Sequence, residues 1–526
     1  MGQLKKALPI GLQSFSNIRK EDYLYVDKTD LIYKLAQNRG YYFLSRPRRF
    51  GKSMLCSTME ALFSGKNDLF NNLFIENHWD WSVTHPVIRL DMSATNYSNL
   101  QAVKNKLQFV LKENAQLHQI QLEEGPDQAS VFKSLIFQLF EKYQKQVVII
   151  VDEYDKAIQD TLNREGQLAS QAMDELRGFY SAIKASDDYI RFCFMTGITK
   201  FTGMGLFSGA NNFEDISLDP AYSSICGFTQ GELEQGFGDY FEPYDMELVK
   251  LWYNGYNYLG DSVYNPFDIL LFLKKEGSFQ NYWWQTGTPS FLARLFEKGE
   301  YHPQQLGHLE LPAEELHHFS LKNLNLVSLL WQTGYLTIVE TIEEPFGGQS
   351  FVLSTPNREV QRSLNALFLT SLTHLQQNAQ HQQQNALRAI FNHDMVAFEH
   401  SIRSMFAAIP YNNFVQNNLQ KFEGYYASVM YCYLLGLGLK TYTEQPTSQG
   451  RIDMVMETPT HIYIVEFKVT PSKPRENEQG EAIQQIIDQQ YYQPYLNDGR
   501  SVVLLGMHFS EQDRNLNHFE VLDWNS

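Results

Sequence analysis

The 526-residue chain is poor in cysteine, in positive charge and in long apolar runs, and each shortage excludes something. Its four cysteines, Cys56, Cys193, Cys226 and Cys432, are far apart and form no CxxC pair. That spacing suggests neither a zinc site nor a disulfide framework, and it makes a reducing, cytoplasmic compartment the expectation. Lys and Arg total 43 against 60 Asp and Glu, a formal charge of −17, so the average surface repels nucleic acid. Any affinity for it must come from a local basic groove or from metal ions that offset carboxylates. The late apolar run Val429 to Leu439 is too short to cross a bilayer and carries Tyr431 and Tyr433, so it reads as a buried helix. No apolar segment follows Lys5 and Lys6, and position 6 lacks the Ser or Thr of a myristoylation signal; neither a signal peptide nor a membrane partner is expected. What the chain does contain is 43% hydrophobic residues with 36 Phe and 30 Tyr, too much core material for a disordered chain. The length allows about three domains.

One stretch organises the rest: Arg46-Pro47-Arg48-Arg49-Phe50-Gly51-Lys52-Ser53, between the β-like run Tyr41 to Leu44 and a helix-like segment opening at Ser53. A Gly-Lys-Ser on a strand-to-helix turn sets backbone N–H groups at the positive end of a helix against phosphate, with the Lys on the β/γ-phosphates and the Ser hydroxyl on Mg²⁺. Lys52 and Ser53 take those roles. The full pattern GxxxxGK[ST] has Arg46 where its first Gly belongs, and Pro47 removes one N–H donor. The guanidinium groups of Arg46, Arg48 and Arg49 are expected to replace the lost donors by holding phosphate bidentately. The competing reading is a basic surface turn with Gly51 as a simple bend.

Strand and helix patterns then alternate. Tyr23 to Asp30 alternates like a strand and breaks at a helix N-cap, Thr29 or Asp30; Lys52 to Phe63 is helical; Pro86 to Asp91 is a strand; Leu100 to Glu124 and Ser130 to Tyr143 are helices; Gln146 to Asp152 is a strand. Val147 to Val151 is a fully apolar run of the kind buried in parallel sheets, and it ends in Asp152-Glu153 at the carboxyl edge where open α/β sheets bind ligands. In this Walker B arrangement Asp152 supports Mg²⁺ and Glu153 polarises the attacking water. The plainer alternative is a helix N-cap at Asp152. The strand Ile190 to Thr196 brings Thr196, Thr199 and Lys200 to the same edge as candidate sensors of the γ-phosphate, with Asn211 and Asn212 beyond.

The C-terminal part reads helix, three strands, helix, strand. Arg451 to Met456 and Ile462 to Val469 form a β-hairpin in which strand periodicity puts Glu466 and Lys468 on one face, with Phe467 opposite. An Asp at the start of one strand and Glu-x-Lys on its neighbour is the PD-(D/E)XK arrangement. Asp453, Glu466 and the Phe467 carbonyl are oxygen donors suited to Mg²⁺, Lys468 is placed to orient or help deprotonate a water that attacks a phosphodiester, and Glu423 from the preceding helix completes the acidic cluster. Read singly, Glu466-Phe467-Lys468 is a cross-strand ion pair on a solvated face.

Several of these segments carry a resemblance. Leu8-Pro9-Ile10-Gly11-Leu12-Gln13-Ser14-Phe15, Tyr25-Val26-Asp27-Lys28-Thr29, Phe43 to Ser53, Val151-Asp152-Glu153-Tyr154-Asp155 and Thr196-Gly197-Ile198-Thr199-Lys200-Phe201 resemble the bacterial AAA-ATPase-like family, as do Ile225-Cys226-Gly227-Phe228-Thr229, Trp252 to Tyr256, Val263 to Phe267 and Thr286 to Phe291. Within that family an Arg at the first Walker position is the usual residue. Glu423-Gly424-Tyr425-Tyr426, Gly450 to Asp453, Ile462 to Lys468, and Gln485 with Tyr491 and Tyr495 resemble the PD-(D/E)XK nuclease domain commonly fused to it. Its helices often show Tyr-His after the Glu, where this chain has Tyr425-Tyr426.

The resemblance implies an α/β protein: a P-loop (ASCE/AAA-like) parallel-sheet domain over 1–285, a helical middle region and linker over 286–396 with a hairpin near Gly347-Gly348, and a nuclease-like domain over 397–526. It also implies ATP and Mg²⁺ as cofactors, DNA rather than RNA as substrate, and a homo-oligomer. The expected activity is DNA cleavage gated or powered by ATP. The rival reading is a nucleotide-switched binding protein whose nuclease fold recognises a partner.

Overall fold

The computed structural model describes residues 5–162, 167–201, 213–284, 309–317, 325–345, 347–373, 378–409, 423–436, 439–447, 450–470 and 480–524. The chain divides into two compact units, one of Met1–Phe291 with Leu309–Asn357 and the other of Leu292–His308 with Arg358–Ser526.

The first unit is built on a parallel five-stranded sheet of β1 (Gly40–Ser45), β2 (Val87–Asp91), β3 (Val147–Asp152), β4 (Ile190–Gly197) and β5 (Phe213–Asp215), in the order β2-β3-β4-β1-β5. β4 lies between β1, which feeds the Gly-Lys-Ser turn, and β3, which ends in the acidic pair. Every residue of β3 is buried, and each of its Val and Ile side chains contributes on the order of 1.5–3 kcal/mol by leaving water. Parallel pairing brings all strand C-termini to one edge, so the turn and the acids share it.

The alternating run at Tyr23 to Val26 is not a strand. Leu24 and Val26 instead pack into an apolar cluster with Phe237, Tyr253 and Phe272. The N-cap of the helix Thr29–Ala36 is Lys28, one residue before the expected Thr29 or Asp30, and Asp27 ahead of it accepts from the Thr29 N–H at 2.8 Å and hydroxyl at 2.7 Å. The helix that begins at Leu100 stops at Leu117, where Gln119 turns left-handed. A short pair, β6 (Phe228–Thr229) with β7 (Val263–Tyr264), and a three-stranded antiparallel sheet of β8 (Leu309–Pro312), β9 (Thr337–Glu343) and β10 (Gln349–Ser354) complete this unit. β9 and β10 are the hairpin read from Gly347 and Gly348, both at positive φ.

In the second unit a five-stranded sheet runs in the order β11 (Lys440–Pro446), β12 (Arg451–Glu457), β13 (His461–Thr470), β14 (Ser501–Ser510), β15 (Asn515–Trp524). β13 and β14 are parallel and the other pairs antiparallel. β15 is a strand more than the sequence pattern indicated. The apolar run at Val429 lies in the helix Glu423–Leu435, buried from Val429 to Leu435.

Candidate active sites

At the edge of the first sheet the chain leaves β1 at Ser45 and enters the helix Lys52–Phe63 through Gly51, whose φ of 93° is left-handed and where an added Cβ would meet nothing within 4 Å. The glycine is there for its backbone, not for packing room. Lys52 is buried, its Nζ donating to the carbonyls of Arg46 at 2.9 Å and Pro47 at 2.8 Å. Burial pulls this ammonium below its ordinary pKa, opposed by the negative groups around it, Glu153, Asp152 and Asp155 among them. Beside Gly51, Lys52 and Ser53 lies a cavity of about 400 Å³, lined also by Arg48, Arg49, Glu153 and Lys156 and, on its apolar side, by Pro9, Leu12, Phe228 and Phe267.

Asp152, at the end of β3, is 2% exposed. Its Oδ2 pairs with Arg89 Nη2 at 3.2 Å, while its Oδ1 is buried with no hydrogen-bond partner. Burial raises its pKa, and Arg89, the nearby Ser53 hydroxyl and Lys52 pull it back. An orphaned carboxylate oxygen next to a P-loop serine suits Mg²⁺ or a water bound to it. Glu153 faces the cavity from a left-handed backbone, φ 54°, a conformation that costs a non-glycine residue and that recurs at functional sites. Its carboxyl is also pushed up by burial, against the pull of Lys52.

The expectations for Arg46, Thr196, Thr199 and Lys200 are corrected at this edge. The Arg46 guanidinium does not face the cavity: it is 1% exposed, donates to the carbonyls of Ser45 at 2.9 Å and Ser217 at 2.8 Å, reaches those of Tyr222 and Ser223 at 3.4 Å, and lies 3.7 Å over the Tyr258 ring. It braces the loop and has no phosphate-facing surface. Thr196 is fully buried, its hydroxyl donating to the Leu44 carbonyl of β1 at 2.8 Å, so it is no γ-phosphate sensor. Thr199 and Lys200 are likewise engaged, the first with Asp155 at 2.6 Å and the second with Asp215 at 2.6 Å. Arg48 and Arg49 do line the cavity, Arg48 reaching Gln159 at 3.4 Å and Arg49 lying 4.8 Å over Phe267. Asn211 and Asn212 lie outside the described residues.

The sequence reading missed Arg89. It sits in mid-strand on β2, and only the pairing of Asp91 with Asp152 brings it beside the acid. It also pairs with Glu60 of the Lys52–Phe63 helix at 3.2 Å. A charged residue inside an otherwise apolar strand was the available signal.

In the second unit Asp453 on β12 accepts the Phe467 N–H at 2.8 Å, which brings its carboxylate to the end of β13. Burial raises its pKa; the Phe467 N–H, Lys468 and Arg451 oppose that. Glu466 is 2% exposed, and Lys468 Nζ bridges Glu466 Oε1 at 3.2 Å and Gln485 Oε1 at 2.6 Å. Gln485 belongs to the helix Glu481–Asp488, and the Tyr491 hydroxyl lies so close to Gly450 that a Cβ there would come within 2.6 Å of it. Glu423 opens its helix, but its side chain lies outside the described residues. Among the described residues no three His, Cys, Asp or Glu side chains converge as metal ligands. Two carboxylates and a main-chain carbonyl nevertheless suit Mg²⁺, which keeps several waters.

Comparison with known proteins bears on both units. Residues 9–207 match the family model described as predicted AAA-ATPase, and residues 421–519 match that of the PD-(D/E)XK nuclease superfamily. A protein of Azotobacter chroococcum mcd 1, described as an uncharacterized protein in the vnfD 5' region, is 38% identical over 519 residues, 98% of this chain and 99% of the relative. Among solved structures, the Aeropyrum pernix ORC1 protein in complex with DNA matches 65% of this chain and 93% of its own at 11% identity, with a TM-score of 0.28. The chain thus belongs to the AAA-ATPase-like family and carries a C-terminal domain of the PD-(D/E)XK nuclease superfamily.

Proposed function

We propose that the first unit binds and hydrolyses ATP with Mg²⁺, and that the second cleaves DNA phosphodiester bonds under ATP control. The observation that carries the reading is the convergence of Lys52, Ser53, Asp152 and Glu153 on one sheet edge beside a cavity. In this reading Lys52 turns from the Arg46 and Pro47 carbonyls to the β/γ-phosphates, a charge-assisted exchange, and Arg48 and Arg49 meet the anion at the cavity wall. Ser53 and Asp152 hold Mg²⁺, and Glu153 takes a proton from the attacking water. In the second unit Asp453 and Glu466 hold Mg²⁺, with Glu423 as a third carboxylate, and Lys468 orients the hydrolytic water. At both centres the metal supplies positive charge to a phosphoryl oxygen and a more acidic bound water.

The buried thiols of all four cysteines support a reducing cytoplasm as the place of action, and no helix among the described residues is long and apolar enough to cross a membrane. A second reading, a nucleotide-operated switch with slow or no hydrolysis, is favoured by the loop's backbone. The Arg46 N–H is spent on the Gly197 carbonyl at 3.2 Å and Pro47 has none, so the donors left to an anion begin at Arg48.

Incubating the full chain with single- and double-stranded DNA and Mg²⁺, with and without ATP, beside Asp453→Ala and Lys468→Ala, tests both. ATP-dependent cleavage lost in both variants is the expected result. ATP binding without cleavage under any condition would favour the switch.

A further inference from the structure

The Lys468–Gln485 contact depends on where the helix Glu481–Asp488 lies on its sheet, and the sheet holds that helix by a device separate from the carboxylates. Strand registers place Glu466 of β13, Gly506 of β14 and Glu520 of β15 side by side in one row, and Lys468, His508 and His518 in the next. Residues paired in register share a face. The missing side chain at Gly506 is what lets the helix come down there: an added Cβ would lie 3.1 Å from the Ala482 Cβ and 2.9 Å from Glu520 Oε2. Glu520 then accepts the N–H of Gly480, the residue that caps the helix. Its Oε1 is fixed from the sheet side by His518 Nε2 at 2.8 Å, with the buried His508 ring 3.7 Å away. Gln485 lies little more than a turn beyond this anchor.

We propose that Glu520 and Gly506 are positioning residues of the second centre: they moor and seat the Glu481–Asp488 helix so that Gln485 holds the Lys468 ammonium beside Glu466. The inference rests on the nuclease reading for its catalytic consequence and on geometry alone for the mooring.

The test uses the full chain and compares Glu520→Ala, Glu520→Gln, Gly506→Ala and Gly506→Ala combined with Ala482→Gly. Two quantities are read: kcat and KM for Mg²⁺-dependent DNA cleavage, and hydrogen exchange of the amides of residues 481–488. Loss of the carboxylate acceptor is expected to speed exchange about five- to tenfold and to lower kcat about ten- to a hundredfold with KM unchanged, the effect of a misplaced catalytic group. Glu520→Gln keeps an acceptor for the Gly480 N–H and should restore both quantities. Gly506→Ala should behave like Glu520→Ala, and removing the Ala482 methyl should return it part of the way to wild type, since the 2.9 Å contact with Glu520 Oε2 stays. Wild-type exchange and kcat in Glu520→Ala, or a Glu520→Gln variant as damaged as Glu520→Ala, would overturn the proposal. If the wild type shows no cleavage that Asp453→Ala abolishes, the nuclease reading fails. The exchange comparison then decides the mooring: faster exchange in Glu520→Ala with recovery in Glu520→Gln upholds it, and unchanged exchange refutes it.

Discussion

Replacing Arg46 by glycine, the residue an ordinary P-loop carries there, should destabilise this protein. The guanidinium makes two short hydrogen bonds, to the Ser45 and Ser217 carbonyls, two longer ones at 3.4 Å, and a stacked contact with Tyr258, all away from water. Hydrogen bonds to a charged group contribute roughly 1.5–3 kcal/mol each, and a desolvated cation–π contact about 2 kcal/mol. Against these stands the cost of burying the cation, which already draws its pKa down. Leaving a buried acceptor without its donor costs about 1–3 kcal/mol, so the Ser45 and Ser217 carbonyls together cost about 2–6 kcal/mol, and the glycine adds close to 1 kcal/mol of backbone entropy. The melting temperature of Arg46→Gly should therefore fall by roughly 5–10 °C. Arg46→Lys should recover only part of this, since one ammonium cannot span acceptors on both Ser217 and Ser223. Thermal unfolding of the full chain measures the effect, and ATP affinity at a temperature where both forms are folded separates stability from binding. A melting temperature at or above wild type, or a loss of ATP affinity with stability intact, would refute the bracing role and return Arg46 to the phosphate.

Lys52→Ala should abolish ATP binding measured by calorimetry; affinity equal to wild type would remove the loop assignment. Glu153→Gln should bind ATP normally and lose turnover by roughly 10²–10⁴-fold, as for a positioned general base. Were turnover unchanged, Asp155 would be a poor substitute, because its carboxylate already accepts from Thr199, Ile198 and Gln159. Asp453→Asn should raise stability at neutral pH. The folded pKa of Asp453 is raised by burial, so its ionisation opposes folding above that value and costs nothing once both states are protonated. The gain should shrink as pH falls from the raised value to about 4, and melting curves across that range check it; a gain that grows on acidification would contradict the burial argument.

Most of the sheet was legible because parallel strands buried on both faces leave long apolar runs, and β3 is the clearest case. What periodicity cannot reveal is which partner a side chain finds. Tyr23 to Val26 alternates as a strand does, but its apolar positions answer an apolar cluster and no neighbouring strand. β5 has three residues, too few to show a period. Thr196 was placed at the right strand end, yet its side of the pleat, toward Leu44, depends on the register with β1. The partners of Arg46 and Arg89 were illegible for a common reason: each lies far away in the chain, Ser217 to Ser223 for one and Asp152 for the other.

Asp91, Asp152, Glu153 and Asp155 crowd this edge; burial first, and then the neighbouring acids, push the carboxyls of Asp152 and Glu153 up, against the pull of Arg89, Lys52 and Arg48. An anionic nucleotide entering alone would bring its phosphates to that acidic edge with Lys52, Arg48 and Arg49 to meet them, while Lys156 on the cavity wall is paired with Asp160. A divalent cation entering alone would meet the orphaned Asp152 oxygen but compete with Arg89 on the other. On the proposed reading each ligand supplies what the other lacks, so Mg²⁺ and ATP should bind with positive coupling, and linkage requires the factor to be equal in both directions. Arg89 then has a definite place in the balance. It holds one oxygen of Asp152 and leaves the second for the metal, so Arg89→Ala should tighten the demand for Mg²⁺ in ATP binding while leaving Lys52 and its carbonyl partners as they are.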